Sequence, residues 1–489
     1  MEPRFKTAFA LGLVEGILLI LFGVCVTFDR PVQPRHATAA EEKYNEATFN
    51  RFYPMFEDVH VMVYVGFGYL MTFLRRFGYS AVGNTLLQSA IVLQWAVIMR
   101  GIWRVRGAKI LLDMESLLGA EFSAVTYLIS LGALLGKTSL VQNAIIGIME
   151  TAIGAGNEYL GVAVLQAVDP GGSIFLHTFG AYFGLALAFV THKKDHVGNR
   201  NEGSSYISDV FSMIGTLFLW LYWPSFNAAT VQGAERHRAV MNTYLALTAS
   251  CLTAFASSSC LDGRGRIDMV HIQNSTLAGG VAIGSLASIL AEPHSAIIVG
   301  SIAGVISVLG YKYVTPFLAR RWSVHDTCGV HNLHGMPGLL AGISSIILAA
   351  ATSHESHGDS LYSIYPARAA VFNVSDGGHG FNVTYGLNRS AAEQAAYQLW
   401  ALLATLSIAI SGGVATGMLI RLECFEPTDV RDLFDDGVAW NVAGPEMPTF
   451  VEVKPRKSSP TRRPQIRFKN RVMSIMRETR VQPPHTSTH

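Results

Sequence analysis

The chain has 489 residues; 50% are hydrophobic, only 15% are charged, and the net charge is +2. A string of soluble domains of this length would carry nearer a quarter charged residues, so the composition points to one polytopic membrane domain. The five cysteines (Cys25, Cys251, Cys260, Cys328 and Cys424) are scattered, with no CxxC pair, so neither a disulfide framework nor a zinc site is indicated.

A helix needs about 20 apolar residues to cross a bilayer. About twelve such runs follow along the chain: 8–28, 57–77, 81–103, 118–136, 140–165, 172–191, 207–228, 239–259, 269–290, 295–316, 330–352 and 396–420. The first reads as a retained helix rather than a signal peptide. It is long, contains Glu15, and has no small-residue cleavage site close behind it. The predicted organisation is an N-terminal helix (1–28), an extracellular loop (29–56), a helical membrane domain (57–420) and a cytoplasmic tail (421–489). The membrane domain includes an outer loop at 353–395.

Orientation follows from short-loop Lys and Arg. With the N-terminus inside, the inner loops hold Arg75 and Arg76, Lys137, Lys193 with Lys194 and Arg200, Arg264 with Arg266, and Lys312 with Arg320 and Arg321. One outer loop breaks the pattern, with Arg100, Arg104, Arg106 and Lys109. The loop between the last two helices carries sequons at Asn373, Asn382 and Asn388, and glycosylation occurs only on the lumenal side, where this loop falls. Asn274 also heads a sequon but lies inside a helix. These signals predict a multi-pass membrane protein with both termini cytoplasmic, and the plasma membrane is its expected location.

A repeat is visible. Asp169 is followed eight positions later by His177, and Asp326 eight positions later by His334. The two aspartates and the two histidines are both 157 positions apart (326 − 169 and 334 − 177). Helices two to six (57–191) and seven to eleven (207–352) then form two five-helix units. An odd number of crossings inverts the second unit relative to the first, a common transporter plan with a site at the midplane. At 1.5 Å rise, each His lies about 12 Å along its helix, so the two rings approach mid-membrane from opposite sides.

Ionisable groups at membrane depth are costly and therefore functional candidates. The aspartates read equally as helix caps and as groups that favour an entering cation. The imidazoles, buried in an apolar lumen, stay neutral and present one donor and one acceptor nitrogen each. His331 stands three positions before His334, but no third ligand is near, so no metal site is predicted. Glu158, Asp209, Asp268 and His271 are further polar residues inside the runs, and the glycines near Gly66, Gly180, Gly184, Gly279 and Gly280 read as close helix packing. The tail is acidic and aromatic around Phe434, Asp435, Asp436 and Trp440. It is strongly basic from Lys454 to Arg463 and from Ile466 to Arg471. Contact of that basic segment with anionic lipid, weakened by phosphorylation at Ser458 or Ser459, is the expectation.

Several stretches together resemble the Rh glycoprotein branch of the ammonium transporter/Rh superfamily, with the non-erythroid type B and C glycoproteins nearest. They are FEDVHVMVYVGFGYLMTFL, GGSIFLHTFGAYFG, SDVFSMIGTLFLWLYWPSFNAA, DMVHIQNSTLAGGVAIG and DTCGVHNLHGMPG. The resemblance implies an all-α membrane fold and a homotrimer with one pore per subunit. Ammonia would pass each pore, recruited as ammonium and deprotonated near the entrance. It maps the family's twin histidines onto His177 and His334, its pore aspartates onto Asp169 and Asp326, its stacked phenylalanine gate onto Phe122 and Phe226, and its vestibule acid onto Glu158. Two departures stand out. Gly119-Ala120-Glu121 replaces the usual Asn-Ala-Asp before the gate, and no Trp occurs between Trp103 and Trp220, unlike the bacterial branch with its Trp in the outer recruitment site but as the Rh branch implies.

Bare ammonium in an apolar lumen faces a desolvation cost of several kcal/mol or more, whereas ammonia does not. An ammonia channel is therefore the leading expectation. Carbon dioxide conduction through the same dry pore and a non-transporting Rh-type scaffold are the alternatives. No nucleophile–base pair at membrane depth suggests an enzyme, and no cofactor or nucleic-acid partner is expected. Partners outside the pore are the lipid bilayer and lipid or cytoskeletal contacts of the tail.

Overall fold

The computed structural model describes residues 3–29, 38–105, 109–375 and 382–442. Arg106 and the basic tail segments with Ser458 and Ser459 lie outside the described residues. The chain is mostly α-helical, with two short two-stranded ribbons outside the helices. Val26–Phe28 pairs in parallel with Ile110–Leu112, and Phe372–Ser375 pairs antiparallel with Asn382–Tyr385.

Eight helices among the described residues are long and apolar enough to cross a membrane. The remaining four expected crossings are present but more polar or broken. The helix Ala39–Val61 runs into a π-helical turn, Met62–Phe67. Leu140–Glu158 runs into another at Tyr159–Val164, and Tyr206–Ala228 carries Pro224. The run 269–290 divides into Met269–Ser275 and Ala278–Ile283, followed by a 3₁₀ turn at Gly284–Leu286.

Part of the predicted extracellular loop at 29–56 is instead helical. Thr38 and Glu41 form a capping box that starts a helix at Ala39, well before the apolar run begins. Each partner satisfies a backbone N–H that the first turn would otherwise leave open. The hydropathy pattern is silent there because the first half of this helix is polar.

Burial sorts the helices. In the most apolar window of Met114–Leu134, 89% of residues are buried, and in Ser173–Val190 83%, so these two stand at the centre. In the N-terminal helix only 6% are buried, so it packs at the rim. Leu19, Ile20, Leu252 and Ile347 are large, apolar and exposed, as a lipid-facing surface requires. Asp209, Asp268 and His271 serve packing. Asp209 accepts from Ser204 and Gln273, Asp268 caps Met269–Ser275, and His271 Nδ1 lies 3.0 Å from Ser258 Oγ.

The acidic, aromatic start of the tail is docked rather than solvated. Phe434 is fully buried, and its N–H donates to Gly136 O at 2.8 Å. The Asp436 carboxylate accepts from the N–H groups of Tyr79 and Ser80, where the helix Gly78–Ile102 lacks a side-chain cap of its own. Trp440 Nε1 donates to Ser80 Oγ at 2.9 Å.

Candidate functional site

Both repeat histidines are placed by the same local device. Gly172 and Gly329 adopt left-handed backbone, with φ of +66° and +73°, a conformation costly for any residue with a Cβ. Each stands three positions after its aspartate, so these glycines share the 157-position offset (329 − 172). The chain then enters a π-helical turn, Ser173–Thr178 in one case and His331–Gly335 in the other. Single π turns of this kind recur at functional sites.

This geometry corrects the expected depth of the rings. His177 is five residues beyond Gly172, not eight residues into a regular helix, because Asp169 to Gly172 form a reversal that precedes the first turn. The aspartates fold back as caps. Asp169 Oδ2 accepts from Ile174 N and Phe175 N at 2.8 and 2.9 Å, and its Oδ1 accepts from Ser285 Oγ at 2.6 Å. Asp326 accepts from the N–H groups of Gly329, Val330 and His331, each at 3.0 Å.

The two loops bring their histidines together. His177 Nδ1 and His334 Nδ1 are 3.1 Å apart, with the rings nearly parallel at 10°. One nitrogen must donate and the other accept, so the two rings share a single proton in opposite tautomers. One Nε2 is then an acceptor and the other a donor. Both side chains are buried, and among the described residues His177 Nε2 has no hydrogen-bond partner.

Two aromatic rings extend this pair into a column of four. Phe67 stacks on His334 at 6.2 Å and 18°, and Trp223 stacks on His177 at 5.6 Å and 21°. Gly280 makes the space for Trp223, since a Cβ there would come within 2.7 Å of the indole. Neither Phe67 nor Trp223 was singled out by sequence. Each sits on a helix remote in the chain, and the only hint was its place within the GFG and LYWPSF stretches.

A cavity of about 1680 Å³ opens on one side of the column, lined by Arg100, Gly119, Phe122, Glu158, Asp169 and Phe226 among others. Phe122 and Phe226 both line it and touch each other, and the Phe226 ring lies 5.6 Å from that of His177. The expected stacked gate is corrected. The two phenylalanines lie 4.9 Å apart at 73°, edge to face, the arrangement in which the positive ring edge meets the negative face. Glu158 is bound in the cavity wall by Arg100, which donates to both of its carboxylate oxygens. Beyond the pair, His331 Nε2 lies 3.5 Å from Tyr182 Oη. Glu121 pairs with His60 at 2.6 Å and takes no place in the cavity wall.

A further cluster stands beside the second loop. The Lys137 ammonium lies 2.5 Å from His325 O and 3.3 Å from His325 Nδ1, and His325 Nε2 lies 2.7 Å from Glu202. If Lys137 donates to Nδ1, His325 must carry its proton on Nε2 and donate to the carboxylate. Burial lowers the Lys137 ammonium to about 8.

The family model of the ammonium transporter family matches residues 18–429. The chain belongs to the ammonium transporter family. It is 43% identical to ammonium transporter Rh type B-B of Xenopus laevis, over 91% of this chain and 94% of that protein. To ammonium transporter Rh type B of Mus musculus it is likewise 43% identical, over 88% and 92%. Among solved structures, Rh50 of Nitrosomonas europaea, described as one of the Rhesus family of channels, superposes with a TM-score of 0.69 at 32% identity. That match covers 82% of this chain and 95% of that one. Mep2 of Saccharomyces cerevisiae shares the fold, with a TM-score of 0.61 at 18% identity. The all-α polytopic plan is thus that of the ammonium transporter family.

Proposed function

We propose that the chain is a membrane channel for ammonia, recruited as ammonium in the cavity and deprotonated before it passes Phe122 and Phe226. The observation that carries this reading is the His177–His334 contact, buried between aromatic rings. A cation entering that column would lose its hydration for few compensating oxygens, whereas ammonia meets one acceptor and one donor nitrogen. Gly172 and Gly329, with the capping aspartates, hold the rings in register.

The same reading takes the protein as a homotrimer of the plasma membrane with a pore in each subunit and both termini cytoplasmic. Asn388 is exposed with φ of +52°, and Asn373 and Asn382 lie in the strand pair, so glycosylation of this segment would mark the outer side. The basic tail then faces anionic lipid or cytoskeletal partners on the inner side.

The test is interior pH in proteoliposomes after an ammonium jump, compared with a carbon dioxide jump. Fast alkalinisation that is lost in a His177→Ala, His334→Ala double variant is the expected result. Alkalinisation no faster than in empty liposomes would refute the reading. A protein-dependent response to carbon dioxide alone would favour the neutral-gas alternative.

A further inference from the structure

Arg100 holds Glu158 by both carboxylate oxygens, in the wall of the cavity that leads to the gate. The two side chains are 17% and 24% exposed, so the pair is partly shielded from water, and a bidentate guanidinium–carboxylate pair is the strongest geometry these groups have. The sequence makes room for it. Arg100 lies in the last turn of Gly78–Ile102, and its Nε would stand 2.8 Å from a Cβ at position 119; Gly119 has none. Trp103, one turn along from Arg100, stacks on Tyr159, one residue beyond Glu158, at 4.7 Å and 16°, so the two helix ends are clamped twice.

Four other acidic groups along the cavity also have partners. Asp113 caps Met114–Leu134, Asp169 caps its π turn, Glu235 accepts from Ser360, and Glu115 faces Arg104 more loosely at 3.8 Å. An entering cation must therefore compete for carboxylates already in use, and at Glu158 its competitor is a fixed positive charge.

We propose that Arg100 is a specificity-determining residue of this mouth: by engaging Glu158 it weakens cation recruitment and sets a high half-saturating ammonium concentration. This rests on the channel reading above. With Arg100 removed, Glu158 becomes a free carboxylate at the cavity wall, and a small monovalent cation binds there before it is deprotonated. With Arg100 in place, entry depends more on the ammonia already present at external pH.

The experiment measures initial flux against ammonium concentration at fixed pH in proteoliposomes holding the full chain. The proteins compared are wild type, Arg100→Gln, Gly119→Ala, Glu158→Gln and the Arg100→Gln, Glu158→Gln double variant. Arg100→Gln is expected to lower the half-saturating concentration at least about threefold, the size of a partly exposed ion pair's contribution. Gly119→Ala, which leaves both charges in place but pushes the guanidinium aside, is expected to shift it in the same direction and by less. The Arg100→Gln effect should vanish when Glu158 is already Gln. Equal half-saturation in wild type and Arg100→Gln, or an Arg100→Gln effect that persists without Glu158, would overturn the proposal. Absence of any protein-dependent flux in wild type would instead refute the channel reading. Thermal melting of each purified variant identifies any that is misfolded; Gly119→Ala then decides if Arg100→Gln is among them.

Discussion

The two loops that carry the histidines are built alike and placed differently. Both have an aspartate cap, a left-handed glycine three positions on, a π turn and an imidazole. The Asp169 loop lines the open cavity and ties its carboxylate to Ser285 of the broken helix segment. The Asp326 loop is buried, and the charge of Asp326 acts on a buried ammonium, Lys137. His177 packs beside Trp223 and Phe226, whereas His334 leans on Phe67. Internal symmetry therefore supplies the paired rings, and the surroundings distinguish the loop that borders the cavity from the loop beside a charge cluster.

The largest expected effect comes from breaking the pair. Replacing either histidine with Ala removes the shared proton and opens a gap in the ring column. Ammonium-driven alkalinisation should then fall by about tenfold or more, the scale of losing a well-placed polar contact in a buried site. His177→Ala should cost more than His334→Ala, since His177 alone of the two also meets the Trp223 and Phe226 rings, each at 5.6 Å. Equal rates for the two single variants would show that the asymmetry has no bearing on transport.

The caps come next, and here the second loop should suffer more. Asp169→Ala loses two backbone contacts and Ser285, a cost of about 1–2 kcal/mol. Asp326→Ala loses three backbone contacts and also removes a negative charge that favours the buried Lys137 ammonium, so its cost should be the larger, about 2–3 kcal/mol. Thermal melting in detergent should rank Asp326→Ala below Asp169→Ala; the reverse order would show that the inner cluster does not depend on Asp326.

A milder probe is Gly280→Ala. Its Cβ would press on Trp223 at 2.7 Å and tilt the indole that stacks on His177. Flux should drop several-fold while the melting temperature changes by only a few degrees, as small overpacking costs about 1–3 kcal/mol. Unchanged flux would mean that the Trp223 face of the column is passive.

Much of this asymmetry was out of reach of sequence reading, for identifiable reasons. The histidine and aspartate spacing was legible because a repeat leaves equal offsets in the chain. The glycines at 172 and 329 share that offset and were equally legible, but their φ is visible only once the loop is built. Capping as the aspartates' local role was foreseen, because Asp before a glycine-containing turn readily accepts backbone N–H groups. The π turns were not, since helical periodicity does not separate i→i+4 from i→i+5 bonding. The Arg100–Glu158 pair joins residues 58 positions apart on two helices. Arg100 registered only as an exception to the charge rule, and Glu158 only as a polar residue inside a run and, through a family likeness, as a vestibule acid. The broken helix at 269–290 read as continuous because its breaks, at Thr276 and Leu277 and at Gly284–Leu286, hold no charge and no proline, so hydropathy does not mark them.

The smallest expected effect tests the inner cluster by pH. Burial holds the Lys137 ammonium at about 8, against 10.5 for a free lysine. Below pH 8 both folded and unfolded chains carry that proton, so Lys137 adds no pH dependence there. Between about pH 8 and 10.5 the unfolded chain binds a proton that the folded chain has released, and linkage then makes stability rise with pH. Wild type should therefore gain a few degrees in melting temperature relative to Lys137→Met between pH 7.5 and 9.5. Among the described residues no buried ammonium stands at the counterpart loop, so an Asp169→Asn background should leave the gain intact, while Asp326→Asn should enlarge it by lowering the Lys137 value further. A flat difference between wild type and Lys137→Met across that range would mean that Lys137 stays charged in the fold, and that the cluster beside the second loop is better solvated than its burial implies.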